Sequence, residues 1–298
     1  MKTGVIGAGL LGTACAKRLM QAGIEVVATD IDEAKRAAIA RLGAQTAATV
    51  AEAAKSCGML VVAVFDTDQV EAVVEGQGGI AEACGGGAEP RTVICMSTCD
   101  PDRLAALAAR VEPRGVRLLE APVSGTSRQV AEGRGVGLVG GEHAVMEAAA
   151  PVLDAICARR YYLGAVGNGS RAKLAVNVIL GLNRAAMAEG LVLAARLGLD
   201  PVAFLEVAKG SAAYSAVMDV KGAMMARRDY TNPQSRVDQS LKDFKLMLAQ
   251  GQAAGQPLPF AKLYAELLED CVRQGEAEWD NAAILEAIRR RGSNQPRG

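Results

Sequence analysis

Ten residues near the start of the chain restrict its fold more than any other segment. Thr3-Gly4-Val5-Ile6-Gly7-Ala8-Gly9-Leu10-Leu11-Gly12 reads as a short strand, a Gly7-x-Gly9-x-x-Gly12 turn and the first turn of a helix. Gly7 permits the tight turn, Gly9 lets the backbone approach a pyrophosphate, and Gly12 lets the helix pack closely on the strand. The amides of Leu10 and Leu11 at the helix start supply donors to the phosphates. The turn alone is a weak signal. Its context strengthens it, because the next apolar run, Ile24 to Thr29, ends in Asp30, 18 residues after Gly12. That is where an acid hydrogen-bonds the ribose hydroxyls of a dinucleotide. A carboxylate there repels a 2′-phosphate, and Ile31 rather than an arginine follows it. NAD is therefore expected over NADP, with Lys35 and Arg36 as the cations that oppose this preference.

The first half of the chain continues the same alternation. Met59 to Phe65, Thr92 to Met96, Val116 to Leu119 and Val136 to Val139 read as further strands, mostly the continuous apolar runs of a parallel sheet covered on both faces. Helical windows lie between them at Leu11 to Gln21, Asp32 to Arg41 and Pro101 to Arg110. Gly76 to Gly87 reads as a loop with a weak helix in it. The expected class is α/β, a doubly wound Rossmann domain over residues 1–164, followed by an all-α domain over 165–292 and a flexible tail over 293–298. Arg289, Arg290, Arg291 and Arg297 are read with that frayed end.

The helical half opens on Gly169-Ser170-Arg171-Ala172-Lys173-Leu174-Ala175-Val176-Asn177. A spacing of four puts the Lys173 ammonium and the Asn177 amide on one helical face, where both can touch one small molecule. Arg184 falls within about 40° of them on a helical wheel, a polar stripe on a rod expected to be buried on most sides. Such a stripe needs a polar partner, and a substrate cleft supplies one. The segment Leu174 to Leu197 carries enough polar residues to read as too polar for a bilayer span.

Composition removes several alternatives. The 33 Lys plus Arg balance 33 Asp plus Glu, so no net field attracts nucleic acid or an anionic membrane. A single histidine, His143, reads as a surface residue near a helix cap. It cannot build a Ser-His-Asp triad or a multi-histidine metal site, and no metal is expected. Seven cysteines without a C-x-x-C pair form no disulfide framework, and Cys95 and Cys99 lack further zinc ligands. With no leader pattern visible, a reducing cytoplasm is the expected location. Abundant Ala, Leu and Met in the helical half suggest an apolar face buried against a second copy.

With these residues in place the chain resembles the β-hydroxyacid dehydrogenase family, which includes 3-hydroxyisobutyrate dehydrogenases and tartronate semialdehyde (2-hydroxy-3-oxopropionate) reductases. The likeness spans nearly the whole chain. It rests on the glycine turn, on Glu120-Ala121-Pro122-Val123-Ser124-Gly125, on Gly169-x-x-x-Lys173-x-x-x-Asn177 and on Lys242-Asp243. The resemblance implies an active site between the two domains, with Lys173 as the catalytic lysine and Asn177 as a substrate-orienting amide. Ser124 with the backbone of Gly125 would clamp the substrate carboxylate. It also implies that Lys242 closes over the cofactor, that Ser97-Thr98 is the strand-end contact near the nicotinamide, and that Phe65-Asp66 occupies the loop covering the dinucleotide. Two residues depart from the pattern. Thr126 stands where many members have a second glycine, still offering its amide, and Ser235 stands where a Phe often lines the pocket.

In this reading Lys173 takes the hydroxyl proton of a small 3-hydroxy acid as hydride leaves the same carbon for NAD, and returns it in reduction. Burial among Leu174, Ala175 and Val176 and the charge of oxidised nicotinamide favour the neutral amine. Arg184 and Glu189 read as a structural polar pair or interface contacts, and Tyr214 as pocket lining or core. The rivals are an imine reductase, which would replace the lysine, and a dinucleotide-binding module without catalysis, which would lose the lysine or the glycine turn. A phosphogluconate dehydrogenase would need a longer helical half.

Overall fold

The computed structural model describes residues 1–84 and 89–293, which divide into two compact units, Met1–Lys173 and Leu174–Gly298. The end of the glycine-rich loop (85–88) and residues 294–298 of the tail expected over 293–298 lie outside the described residues, while Ser293 belongs to the last helix.

The first unit runs β1 (Lys2–Ile6), α1 (Leu10–Gln21), β2 (Glu25–Thr29), α2 (Glu33–Ala40), β3 (Gln45–Thr46), α3 (Val50–Ser56), β4 (Met59–Val62), α4 (Thr67–Glu75), α5 (Ile80–Ala83), β5 (Arg91–Cys95), α6 (Pro101–Val111) and β6 (Val116–Glu120). These six strands form one parallel sheet in the order β3-β2-β1-β4-β5-β6. Successive side chains of a strand point to opposite faces, so each central strand feeds two cores. Val5, Val61, Ile94 and Leu119 enter one core with α1, while Ile6, Val62, Val93 and Leu118 enter the other with Leu104 and Leu107 of α6. Burial on both faces is why these strands lack polar alternation. The strand order reverses between β1 and β4, so the crevice for a ligand lies beyond their carboxyl ends.

After β6 the chain departs from the expected sheet. β7 (Val123–Ser124), α7 (Ser127–Ala131), β8 (Val136–Val139), α8 (His143–Ala148), α9 (Ala150–Cys157) and β9 (Arg159–Tyr162) follow. Val136 to Val139 is a strand, but it belongs to a separate three-stranded sheet, antiparallel to β7 and parallel to β9. A β-bridge between Glu120 and Gly140 joins this sheet to the end of β6. Two-residue strands such as β3 and β7 carry no periodicity to read, which is why sequence reasoning passed over them.

α10 (Asn168–Arg196) crosses from the first unit into the second. It is not buried on most sides: Val176, Ile179 and Leu193 are exposed. Nor does composition exclude it as a span, since one window has a mean hydropathy of 1.5 and few charges. Its buried cations meet protein groups instead: Lys173 donates to the Val123 carbonyl and Arg184 Nη1 to the Tyr264 hydroxyl, although the buried Arg184 Nε has no partner among the described residues.

The second unit adds α11 (Pro201–Lys209), α12 (Ala216–Arg227), α13 (Val237–Ala253), α14 (Pro259–Arg273) and α15 (Ile284–Ser293). Phe244 of α13 packs on Tyr264 of α14, and Gly181 of α10 leaves room for that ring pair. Lys221 and Asp280, both fully buried, pair at 2.6 Å. Arg289, Arg290 and Arg291 are not frayed. They lie on α15, where Arg290 pairs with Asp270 and Glu276 and Arg289 with Glu286. Cations in a helix's last turn complement its dipole, which a reading of local charge alone overlooked. Tyr214 is half exposed and donates to Asp219, so it is not core. Glu189 is exposed, and the partner of Arg184 is Tyr264 instead.

Candidate active site

The glycine turn has the geometry a dinucleotide requires. Gly7 has φ +96°, a conformation L side chains rarely adopt, and a Cβ on Gly12 would overlap the Gly7 carbonyl oxygen. Gly9 differs, since its φ is −72° and a Cβ there would meet nothing within 4 Å. The protein itself does not require glycine at that position. The open space suits a bound group lying against the backbone, and α1 begins beside it with no side chain capping its first amides. The residues present therefore fit a dinucleotide pyrophosphate.

Asp30 sits at the end of β2. One carboxylate oxygen accepts from Ala8 N at 2.7 Å, the other from Asp32 N at 2.9 Å, so Asp30 ties the glycine turn to the start of α2. The Arg36 guanidinium donates to the Asp30 carbonyl at 2.5 Å, placing a cation beside the acid, and Ile31 is almost completely exposed.

At the ends of β4 and β5 the assigned residues hold loops in place. Asp66 caps α4 by accepting from Gln69 N, and Gln69 accepts from Phe65 N in return. Ser97 is buried; its hydroxyl donates to Val64 O at 2.9 Å and accepts from Val64 N at 3.0 Å. That hydroxyl proton is committed to the loop, so Ser97 shapes the strand end rather than offering a side-chain donor. His143 is exposed at the start of α8, 3.5 Å from Glu147.

The acid/base candidate and the anion clamp come together inside the first unit. Lys173 is 7% exposed, and its Nζ donates to the Val123 carbonyl at 2.7 Å, one residue before Ser124. Gly125 follows with φ +140° and is exposed. Thr126 does not offer its amide. Its N–H donates to Gln129 Oε1 at 2.8 Å, while its hydroxyl accepts from Gln129 N at 3.2 Å, a reciprocal cap on α7. A Thr with Gln three residues later is the signature of that cap, and it was visible in the sequence. One turn beyond Lys173, Asn177 has a buried side-chain oxygen with no hydrogen-bond partner. A buried, unsatisfied amide oxygen is costly unless a ligand completes it.

In the second unit, Lys242 lies 2.9 Å from Asp243 Oδ1, an ion pair by distance without hydrogen-bond geometry. The Ser235 hydroxyl donates to Gln234 O, and its amide points to Asp280.

A glycine turn that fits a dinucleotide at a sheet switch point, with a buried amine near the Ser124-Gly125 turn, is the arrangement expected of a nicotinamide-dependent dehydrogenase. Residues 2–164 match the model described as the NAD binding domain of 6-phosphogluconate dehydrogenase. Residues 167–288 match that of the NAD-binding region of NADP-dependent 3-hydroxyisobutyrate dehydrogenase. The chain is 31% identical over 288 residues to the 2-hydroxy-3-oxopropionate reductase of Escherichia coli, covering 97% of each protein. It is 32% identical to the L-threonate dehydrogenase of Cupriavidus necator, covering 95% of this chain and 94% of that one. A crystal structure of 3-hydroxyisobutyrate dehydrogenase from Salmonella typhimurium superposes with a TM-score of 0.87 at 28% identity, covering 96% and 99% of the two chains. The chain belongs to the β-hydroxyacid dehydrogenase family, and is an NAD(P)-binding oxidoreductase.

Proposed function

We propose that the enzyme interconverts a small 3-hydroxy carboxylic acid and its carbonyl partner, of the 3-hydroxyisobutyrate or tartronate semialdehyde/glycerate type, with Lys173 as general acid/base. One observation carries this reading: a buried lysine held 2.7 Å from the carbonyl of Val123, the residue that leads into Ser124-Gly125. Bound nicotinamide dinucleotide supplies the hydride acceptor in oxidation and the donor in reduction. Lys173 accepts the substrate hydroxyl proton at Nζ and returns it in the reverse direction. The Ser124 hydroxyl and Gly125 amide hold the carboxylate, and the unpartnered Asn177 oxygen accepts from a substrate hydroxyl. With the Thr126 amide closed by Gln129, the clamp is narrower in donors than a Ser-Gly-Gly turn. Lys242 is assigned to the cofactor on its sequence motif. Seven unpaired, buried cysteines support a reducing, cytoplasmic setting.

NAD is the proposed cofactor, through Asp30. An assay of small 3-hydroxy acids with both dinucleotides should give kcat/KM for NAD higher by a factor of about ten or more, equivalent to ~1.4 kcal/mol. Asp30→Ser with Ile31→Arg should narrow or reverse that ratio. A preference of the unmodified protein for NADP would refute the Asp30 reading and point to Arg36, whose guanidinium already lies on the Asp30 carbonyl.

A second copy of the chain belongs to the same reading. Ile179, Leu193, Leu197, Leu199, Val202 and Val207 expose large apolar side chains on α10 and α11 and the turn between them. Covering them is worth ~25 cal/mol per Å² of apolar surface. Light scattering at micromolar concentration should return at least twice the 30.8 kDa chain mass; a monomer mass would refute the idea.

A further inference from the structure

Glu120 is the last residue of β6, just before the loop that leads to Ser124-Gly125, and its side chain is completely buried. Buried carboxylates are costly unless every oxygen is satisfied, and here both are. Oε1 accepts from Gly167 N at 2.5 Å and Gly169 N at 2.8 Å, and Oε2 accepts from Ser170 N at 3.0 Å and the Ser170 hydroxyl at 2.5 Å. Three of the four partners are backbone amides, which can only donate. The matched form is therefore the anion, on the positive end of a 29-residue helix. Burial pushes the Glu120 carboxyl up, and these four hydrogen bonds oppose it.

Space for the long side chain is built in. A Cβ on Gly140 would overlap Glu120 Oε1, and one on Gly169 would meet its Cδ at 3.1 Å. Three residues after Glu120, the Val123 carbonyl accepts from Lys173 Nζ, and Ser124 follows. Residues 120–124 thus grip α10 twice, at its first turn through a carboxylate and at Lys173 through a carbonyl. The loop is itself fixed by Ala121 N to Cys95 O at 2.8 Å and Leu138 N to Pro122 O at 3.1 Å.

We propose that Glu120 is a positioning residue for catalysis, setting where Lys173 Nζ stands relative to the Ser124-Gly125 clamp by anchoring the helix to the loop that carries both. This rests on the reading of Lys173 as the acid/base. A displacement of about 1 Å between reacting groups can cost ~10² in rate. In Glu120→Gln an amide NH2 must face backbone donors, which loosens the anchor without changing its size.

The test uses the full chain, with Glu120→Gln, the milder Ser170→Ala and Lys173→Met prepared together. Turnover on 3-hydroxyisobutyrate and on tartronate semialdehyde, NADH affinity by fluorescence titration, and site-resolved reductive methylation of lysines by mass spectrometry are measured. Glu120→Gln should lower kcat by about 10- to 100-fold, with KM and NADH affinity changing less than about threefold. Methylation of Lys173 should rise about fivefold or more while that of Lys209, in the second unit, stays level, because a lysine released from its carbonyl is more reactive. Ser170→Ala should show the same pattern at about two- to fivefold, and it alone decides if Glu120→Gln does not fold. Unchanged kcat and Lys173 methylation, even with a lower melting temperature, would overturn the inference. So would NADH affinity falling in step with kcat. An active Lys173→Met would overturn the lysine reading itself, whereas an inactive Lys173→Met beside unaffected Glu120→Gln and Ser170→Ala would overturn only the role of Glu120.

Discussion

Lys173→Met is expected to leave the fold and NAD binding intact while lowering kcat by about 10² to 10⁴, the usual worth of a positioned acid/base. Methionine fills a similar volume but carries no proton, so the reacting oxygen loses its partner while the helix keeps its packing. The Val123 carbonyl loses one hydrogen bond, about 1 kcal/mol, which the domain can absorb. Ser124→Ala and Asn177→Ala provide the contrast, since they should raise KM more than they change NAD affinity. Steady-state kinetics with NADH titrations separate these outcomes. A Met variant with near-normal turnover would remove the mechanism, and equal loss of NAD binding in the alanine variants would move those residues to the cofactor.

Asp280→Ala is expected to destabilise the helical unit by about 3–5 kcal/mol, the cost of leaving one member of a buried ion pair without its partner. Its carboxylate accepts Lys221 Nζ at 2.8 and 2.6 Å, Gln234 N at 2.8 Å and Ala282 N at 2.9 Å. Lys221 is itself 2% exposed, and burial with the nearby Arg184 pushes its ammonium down to about 8 against the pull of Asp280. Lys221→Met should cost less, because Asp280 keeps its amide donors and a methionine tolerates the apolar surroundings. The single tryptophan, Trp279, precedes Asp280 and stacks on Tyr230, so urea unfolding followed by its fluorescence reports on this site. A shift in midpoint equivalent to less than about 1 kcal/mol for Asp280→Ala would contradict the described pair.

How much of the enzyme can be read without coordinates depends on how far apart the interacting residues lie. Gly7, Gly9, Gly12 and Asp30 announce a cofactor site because a tight turn, a close approach and a strand end are demands on adjacent residues. The sheet strands are equally legible, since burial on two faces removes polar residues from a continuous run. Spacing along one helix likewise joins Lys173 to Asn177 from sequence alone, four residues being one turn.

The rest was settled by contacts that no local rule encodes. Val136 to Val139 has the composition of a sheet strand, yet it pairs with β7 and β9 in a separate sheet and does not extend the main one beyond its edge strand β6. Thr126 and Ser97 look like ligand contacts because polar residues at strand ends often are. Tertiary structure spends the Thr126 amide on Gln129 and the Ser97 hydroxyl on Val64, because buried polar groups must be paired by whatever lies nearest. Glu120 and Asp280 have no role legible in the sequence for the complementary reason: an acid's meaning depends on which donors reach it, and those of Glu120 are 47–50 residues away along the chain, while those of Asp280, apart from Ala282 N, are 45–59 away. Residue type and short-range spacing therefore determined the glycine turn, the longer strands of the main sheet and the placement of Lys173 and Asn177 one turn apart on the same helix. Only the folded chain decided which polar groups remain available for chemistry, since hydrogen bonds are assigned by distance in space and a sequence lists only distance along the chain.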